Sequence, residues 1–211
     1  MPKAETYFRD TQALAVAHAI EDEDLTSLGR FLQSMDPNHR YAQGMTLLNW
    51  AFAHQRLDSA RLLLARGADP DLATAEVTPW ELAMKMDDIR WVQLLVQAGA
   101  DLNRKQHGTP VWFETFLAGN WKHLDYLVEQ GVDLNATDAV GNTAVMELAR
   151  LGQYGMVFKL LQQGADTAQV SGTGASLHTI LENSIPPRGS VEFGNREKVR
   201  AWLEHQSREL H

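Results

Sequence analysis

Gly67-Ala68-Asp69, Gly99-Ala100-Asp101 and Gly164-Ala165-Asp166 are one three-residue phrase met three times, and a drifted copy, Gly131-Val132-Asp133, lies between the last two. The four glycines follow one another at intervals of 32, 32 and 33 residues. A period near 33 describes a stack of equivalent units rather than one globular core. Such stacks usually bind other molecules rather than catalyse reactions.

The same grammar surrounds each glycine. Gly44-Met45-Thr46-Leu47-Leu48 opens a predicted helix through Trp50, Ala51 and Phe52, and a second helix carries Leu57, Ala60, Leu62, Leu63 and Leu64. Gly67 ends that helix, because glycine past the last turn takes the left-handed conformation cheaply. Asp69-Pro70-Asp71 then supplies turn chemistry leading into the next unit. The third unit opens at Thr78-Pro79-Trp80-Glu81, continues through Ile89 to Val96 and closes at Gly99-Ala100-Asp101-Leu102-Asn103. Thr78 is placed to cap its helix, with Pro79 in the first turn where no backbone N–H is needed. The fourth runs from Thr109-Pro110-Val111-Trp112 to Gly131-Val132-Asp133-Leu134-Asn135, and the fifth from Gly141-Asn142-Thr143 to Gly164-Ala165-Asp166.

This pattern resembles the ankyrin repeat: a threonine-proline-leucine-histidine-like helix start, a leucine-rich second helix, then glycine-alanine-aspartate and asparagine. Asn49, Glu81, Trp112 and Met146 stand where that opening has histidine, and Lys159 replaces one of the usual leucines. The resemblance implies an all-α fold, an ankyrin-repeat solenoid of about six stacked helix pairs with short finger loops. One domain is expected over 1–211: a cap unit at 11–43, repeats at 44–75, 76–106, 107–140 and 141–173, and a cap unit at 174–211. A proline- and glycine-rich insertion loop, 183–195, is expected inside the last helix pair.

Composition narrows the function classes. The 211 residues are 44% hydrophobic, enough for one elongated core, and the formal net charge of −8 disfavours a phosphate-tracking surface. The excess of acid is read first as serving solubility. Without cysteine there is no disulfide, thiol catalysis or thiolate metal site. The longest apolar runs fall short of a membrane span, and Lys3, Glu5, Arg9 and Asp10 stand where a signal peptide needs an apolar run. Eight scattered histidines form no metal-binding motif, so His18 and His54 are read as helix-surface or partly buried residues. Gly172-Thr173-Gly174 is read as a connector, since no lysine follows as in a phosphate loop. The acidic run Glu21-Asp22-Glu23-Asp24 is read as favouring the next helix's N-terminus. No catalytic residue, cofactor or metal ligand is assigned.

In ankyrin stacks the finger loops and the first helix of each pair line a concave groove, which by resemblance gives the partner-contact positions. The fingers offer Arg40, Tyr41, Gln43 and Met45, then Glu76, then Lys105 and His107, then Asp138 and Asn142. The first-helix ends offer Phe52, Lys85, Phe116 and Arg150, with Tyr41, Phe116 and Arg150 favoured because aromatic and arginine side chains anchor interfaces. Trp112 and Phe116 read equally as contacts and as core, whereas Phe113, Trp121 and Tyr126 read as core.

Three further stretches, "YFRDTQALAVAHAIEDEDLTSLGRFLQ", "GMTLLNWAF" and "PPRGSVEFGNREKVRAWLE", resemble a bacterial subfamily of ankyrin proteins: the immunity partners of phospholipase effectors delivered by type VI secretion. That resemblance implies a non-enzymatic protein that captures a lipase toxin with its concave face. It also implies a periplasmic site, with a leader and lipid-attachment cysteine expected upstream of Tyr7-Phe8; without such a leader the location is cytoplasmic. The second reading is a general ankyrin adaptor or a host-directed bacterial ankyrin effector. The third is an enzyme whose site lies in 183–195, involving Arg188 and Glu192.

Overall fold

A computed structural model describes residues 2–72 and 77–209, with side chains to residue 206. The architecture is all-α, with one small hairpin. A single turn, α1 (Ala4–Tyr7), precedes the pairs α2 (Thr11–Glu21) with α3 (Leu25–Phe31), α4 (Leu47–Ala53) with α5 (Leu57–Ala65), and α6 (Pro79–Lys85) with α7 (Arg90–Gln97). Then come α8 (Glu114–Leu117) and α9 (Trp121–Glu129), α10 (Ala144–Arg150) with α11 (Tyr154–Gln162), and α12 (Leu177–Asn183) with α13 (Val191–Glu209). The expected six helix pairs are present among the described residues.

By contacts the chain divides into two compact units, Met1–Leu102 with Leu117–Tyr126, and Asn103–Phe116 with Leu127–His211. The first unit buries Phe8, Ile20, Leu28, Leu47, Trp50, Phe52, Leu63 and Trp80. Phe8 meets Trp50 edge-on with ring centroids 5.1 Å apart, and Phe52 meets Trp91 at 4.7 Å. The second buries Trp112, Phe113, Val145, Tyr154, Val157, Leu160, Leu177 and Val199. Phe113 is core as expected, whereas Trp121 and Tyr126 are only half-buried.

Local chemistry explains several helix starts. Asp10 accepts from Ala13 N at 2.7 Å, Asp24 from Ser27 N at 3.0 Å, and Thr46 from Asn49 N at 3.1 Å. Asp24 thereby gives the acidic run a structural role at a helix N-terminus, and the bonds from Ser27 hold its carboxyl below the usual range. Thr78 and Glu81 form a reciprocal capping box with Pro79 in the first turn. The fourth unit departs from this plan. Thr109 and Pro110 form β2, paired antiparallel with β1 (Lys105–Gln106), and His107 and Gly108 at the turn both have positive φ. Pro110 is extended, so the helix begins late, as a 3₁₀ turn over Val111–Phe113 running into the short α8. At the end of α7, Gly99 has φ +82°, the left-handed value that makes glycine the cheapest residue after a last helical turn.

A side-chain ladder ties consecutive turns together. Asn38 Oδ1 accepts from Asp69 N at 2.7 Å and Asp71 Oδ2 from Asp101 N at 2.9 Å. Asn103 Oδ1 accepts from Asp133 N, and Asn135 Oδ1 from Asp166 N, both at 2.7 Å. Each acceptor sits two residues after the recurrent aspartate of its own unit, and each donor is the aspartate of the next. Ala168 occupies the corresponding place after Asp166, so no further rung follows. Asn135→Ala is expected to cost about 1 kcal/mol, the worth of one exposed hydrogen bond. Asn135→Asp keeps the acceptor and is expected to change stability by less than about 0.5 kcal/mol. Urea denaturation of both variants checks this.

The expected loop at 183–195 is shorter than the sequence suggests. Ser190 Oγ accepts from Phe193 N at 3.1 Å and starts α13 at Val191, so the irregular part is 184–190. Glu192, from α13, accepts Gly155 N at 3.1 Å and so caps α11 from a neighbouring helix. Arg196 does the converse at the C-terminus of α12: its Nε donates to Leu181 O and Ser184 O, each at 3.1 Å, and its Nη2 donates to Leu181 O as well. Tyr154 Oη donates to the same Ser184 carbonyl at 2.8 Å.

Candidate protein-binding surface

The contact positions expected from the repeat pattern separate into displayed and buried groups. Arg40, Gln43, Lys85, Lys105, His107 and Arg150 are exposed, and Tyr41 and Asp138 are half-buried. Met45, Phe52, Trp112, Phe116 and Asn142 are buried, with Phe52 and Trp112 fully sealed. Phe52, Trp112 and Phe116 lie among the core side chains, and Met45 and Asn142 are buried in their loops. The cause is packing: the apolar faces of α4 and of the 111–117 segment point inward, so aromatic residues at a helix end are enclosed. Glu76 lies outside the described residues.

In the first unit the 41–45 loop closes on itself, with Tyr41 N donating to Met45 O at 2.8 Å and Gly44 N to Tyr41 O at 3.0 Å. Gln43 holds φ 58° at its tip and is exposed. The Tyr41 ring is fixed between Phe8 and His39, each with a ring centroid 4.7 Å away. Burial, then the charges of Asp10 and Asp36, push the Tyr41 phenol up to about 12, so it is a neutral hydroxyl at any physiological pH. His54, read from sequence as surface or partly buried, is buried against Trp50 at 4.2 Å, and burial lowers its affinity for a proton.

In the second unit the finger loops brace one another. Lys105 Nζ donates to Thr137 O at 2.8 Å and Gly172 N to Val140 O at 2.8 Å. Asp138 accepts from Val140 N at 2.9 Å, from Asn142 N at 2.8 Å and from Asn142 Nδ2 at 3.1 Å, which makes both residues braces of their turn. Gly141, at φ +90°, lets the next finger come close: a Cβ there would lie 3.1 Å from Gly172 N. Gly172-Thr173-Gly174 is the tip of that next finger, closed by Ser171 N donating to Ala175 O at 2.8 Å. Val140 and Val170 are exposed on these tips, which the sequence reading did not single out. Arg150 is exposed and paired with Glu147 at 3.1 Å; burial pushes the Glu147 carboxyl up. Arg150 also borders a 300 Å³ cleft with Ala175, Thr179, Ile180, Asn183 and Ser184.

Glu192 is committed to Gly155 N and to Asn195 Nδ2, and Arg188 is exposed on the loop. Among the described residues, no group of three or more histidines and carboxylates is placed to hold a metal ion, and no helix is long and apolar enough to cross a membrane.

The pair α4 and α5, with Gly67 after it, coincides with a matched family model, Ankyrin repeat, over residues 43–75. Residues 43–75 match an ankyrin repeat, and the chain has the ankyrin-repeat fold. Protein PhlB of Serratia liquefaciens is 28% identical over 143 residues, covering 66% of this chain and 63% of that protein. The match thus spans less than two thirds of that relative's length. Among solved ankyrin-type structures, an ankyrin repeat domain from Acinetobacter baumannii AYE superposes with a TM-score of 0.73 at 21% identity, covering 87% of this chain and 94% of that one. The ankyrin-repeat protein EF0377 gives a TM-score of 0.70 at 20% identity over 94% of this chain and 98% of its own. A chain from the complex of the predatory endopeptidase Bd0816 of Bdellovibrio bacteriovorus with immunity protein Bd3460 gives 0.66 at 22% identity, over 87% and 97%. These likenesses establish the ankyrin fold.

Proposed function

We propose that the chain is a non-enzymatic, protein-binding immunity protein that neutralises a type VI secretion phospholipase-type toxin. In each unit, the side bearing the finger loops and first helices is the binding side. The observation that carries the binding part is the bracing of the fingers. Turn-to-turn bonds from Asn38, Asp71, Asn103 and Asn135, with Lys105 and Gly172 beside them, hold the loops before any partner arrives. Loops fixed in advance lose little entropy on docking, which favours recognition of a folded macromolecule. The displayed side chains of Arg40, Gln43, Lys85, Lys105, His107 and Arg150 are the contacts assigned.

The immunity role is supported by the resemblance of the opening, second-unit and closing stretches quoted above. It is further supported by the same fold occurring in a complex that contains an immunity protein. The lipase class of partner rests on the sequence resemblance alone, and a periplasmic location follows from it. Co-expression of this chain with the lipase encoded beside it is expected to restore growth, abolish lipid hydrolysis in extracts and yield a co-purifying complex. A lipase that stays toxic and unbound would overturn the reading.

A further inference from the structure

We propose that His123 is a proton-operated switch: on taking up a proton it draws the Asp87 carboxylate over it and reshapes the 86–89 loop beside Lys85. His123 lies on α9 at 1% exposure, and neither of its ring nitrogens has a hydrogen-bond partner. A neutral imidazole so placed leaves one N–H donor and one lone pair unmet, which buried side chains rarely do. The backbone acceptor beside it, the Met84 carbonyl in the last turn of α6, is already taken by Asn120 Nδ2 at 2.6 Å. His123 is thus enclosed, unsatisfied and close to a surface loop that carries acid.

The charged groups that act on His123 are Asp87 and Asp88, both from the loop between α6 and α7, and His123 acts in turn on Asp88. Asp88 is committed elsewhere. Arg90 Nε donates to its two oxygens at 3.0 and 2.9 Å and Arg90 Nη2 to one of them at 2.6 Å, which holds the Asp88 carboxyl below the usual range. Asp87 is exposed and makes no ion pair among the described residues, so it is the carboxylate at liberty to move. Burial lowers the affinity of His123 for a proton, and Asp87, the Met84 carbonyl and Asp88 offset only part of that. The folded chain therefore holds this proton less well than the unfolded chain, whose histidines titrate near ~6.5. The site's contribution to stability is complete above that pH. Below it, the folded-to-unfolded ratio falls by up to about tenfold per pH unit until the folded histidine itself titrates. An imidazolium has an outlet short of unfolding, because a charge-assisted bond to Asp87 costs only the movement of a surface loop. Lys85 and Asp87 border one 500 Å³ cleft with Leu57 and Trp91, so that movement is felt where Lys85 is displayed.

The consequence for a partner rests on the reading of Lys85 as a contact, whereas the switch is measured on the chain alone. Imidazole and amide NMR of the whole chain from pH 7.5 to 4.5 is expected to show His123 titrating below about 6, with its own resonance separating it from His54. The amides of Met86, Asp87 and Asp88 are expected to shift with the same midpoint. His123→Gln is expected to abolish that step in the loop. Asp87→Asn is expected to lower the His123 midpoint by about half a unit and to remove most of the loop shift, with stability at pH 7.5 unchanged. If His123→Gln does not fold, Asp87→Asn carries the test. A His123 that stays neutral until the chain unfolds, loop amides that ignore its titration, or an unmoved midpoint in Asp87→Asn would overturn the proposal. A chain that switches as expected but binds no lipase would leave the switch standing and remove the immunity reading. A neutralised lipase with a silent His123 would remove the switch alone.

Discussion

Replacing Trp112 with alanine is expected to cost about 3–5 kcal/mol, the usual range for emptying a site filled by a buried aromatic ring. Trp112 is fully buried, lies edge-on to Phe113 at 4.6 Å and stands 6.2 Å from Phe116. Phe113 and Phe116 are themselves only 5.0 Å apart, so three rings share one cluster and lose contact together. One detail lowers the sum: Trp112 Nε1 has no hydrogen-bond partner among the described residues. Trp112→Phe removes that stranded donor while keeping a ring, and is expected to cost less than about 2 kcal/mol. Urea denaturation of both variants checks the pair. A Trp112→Ala protein of unchanged stability but impaired partner binding would return this residue to the contact surface.

Replacing Arg196 with alanine is expected to cost about 3 kcal/mol, because it strands the Leu181 carbonyl at a helix end in an enclosed place, while Ser184 O keeps its bond from Tyr154. The residue is 5% exposed, with its charge directed at Leu181 O and Ser184 O. Those groups belong to the last turn of α12 and the residue after it, where a cation also meets the negative end of the helix dipole. Glu197 Oε1 accepts from Arg196 Nη1 at 2.8 Å and balances the charge. Lysine keeps the charge but not the planar fork, so Arg196→Lys is expected to recover less than half of the loss. Thermal melting measures the cost, and faster amide exchange in α12 of Arg196→Ala would locate it. Exchange that quickens evenly through the second unit would refute that localisation.

The repeat was legible because its signals are local. Left-handed glycines at 67, 99, 131 and 164, and threonine starts at 46 and 78, are consequences of backbone geometry over four or five residues. The ladder was half legible: the aspartate-any-asparagine phrase is visible, but its acceptor role depends on a neighbour about thirty residues away. Contacts were harder. Phe52 and Phe116 stand at the right place in the pattern for a groove, yet which way their helices face is set by tertiary packing. Arg196 gave no signal at all, since a charged residue in a polar helix reads as solvated. The end of the 183–195 segment is set by Ser190, a good helix-capping residue whose signal is masked by the turn-forming Pro186, Pro187 and Gly189 beside it.

The short connection from Ser184 to Ser190 is pinned at both margins, by Tyr154 and Arg196 on one side and by the Ser190 hydroxyl on the other. Lengthening it therefore adds only the slowly growing entropy of a closed loop. A fluorescent reporter or affinity tag spliced between Arg188 and Gly189 would ride on the protein without disturbing either helix it joins, and so offers a permissive handle for following it in living cells.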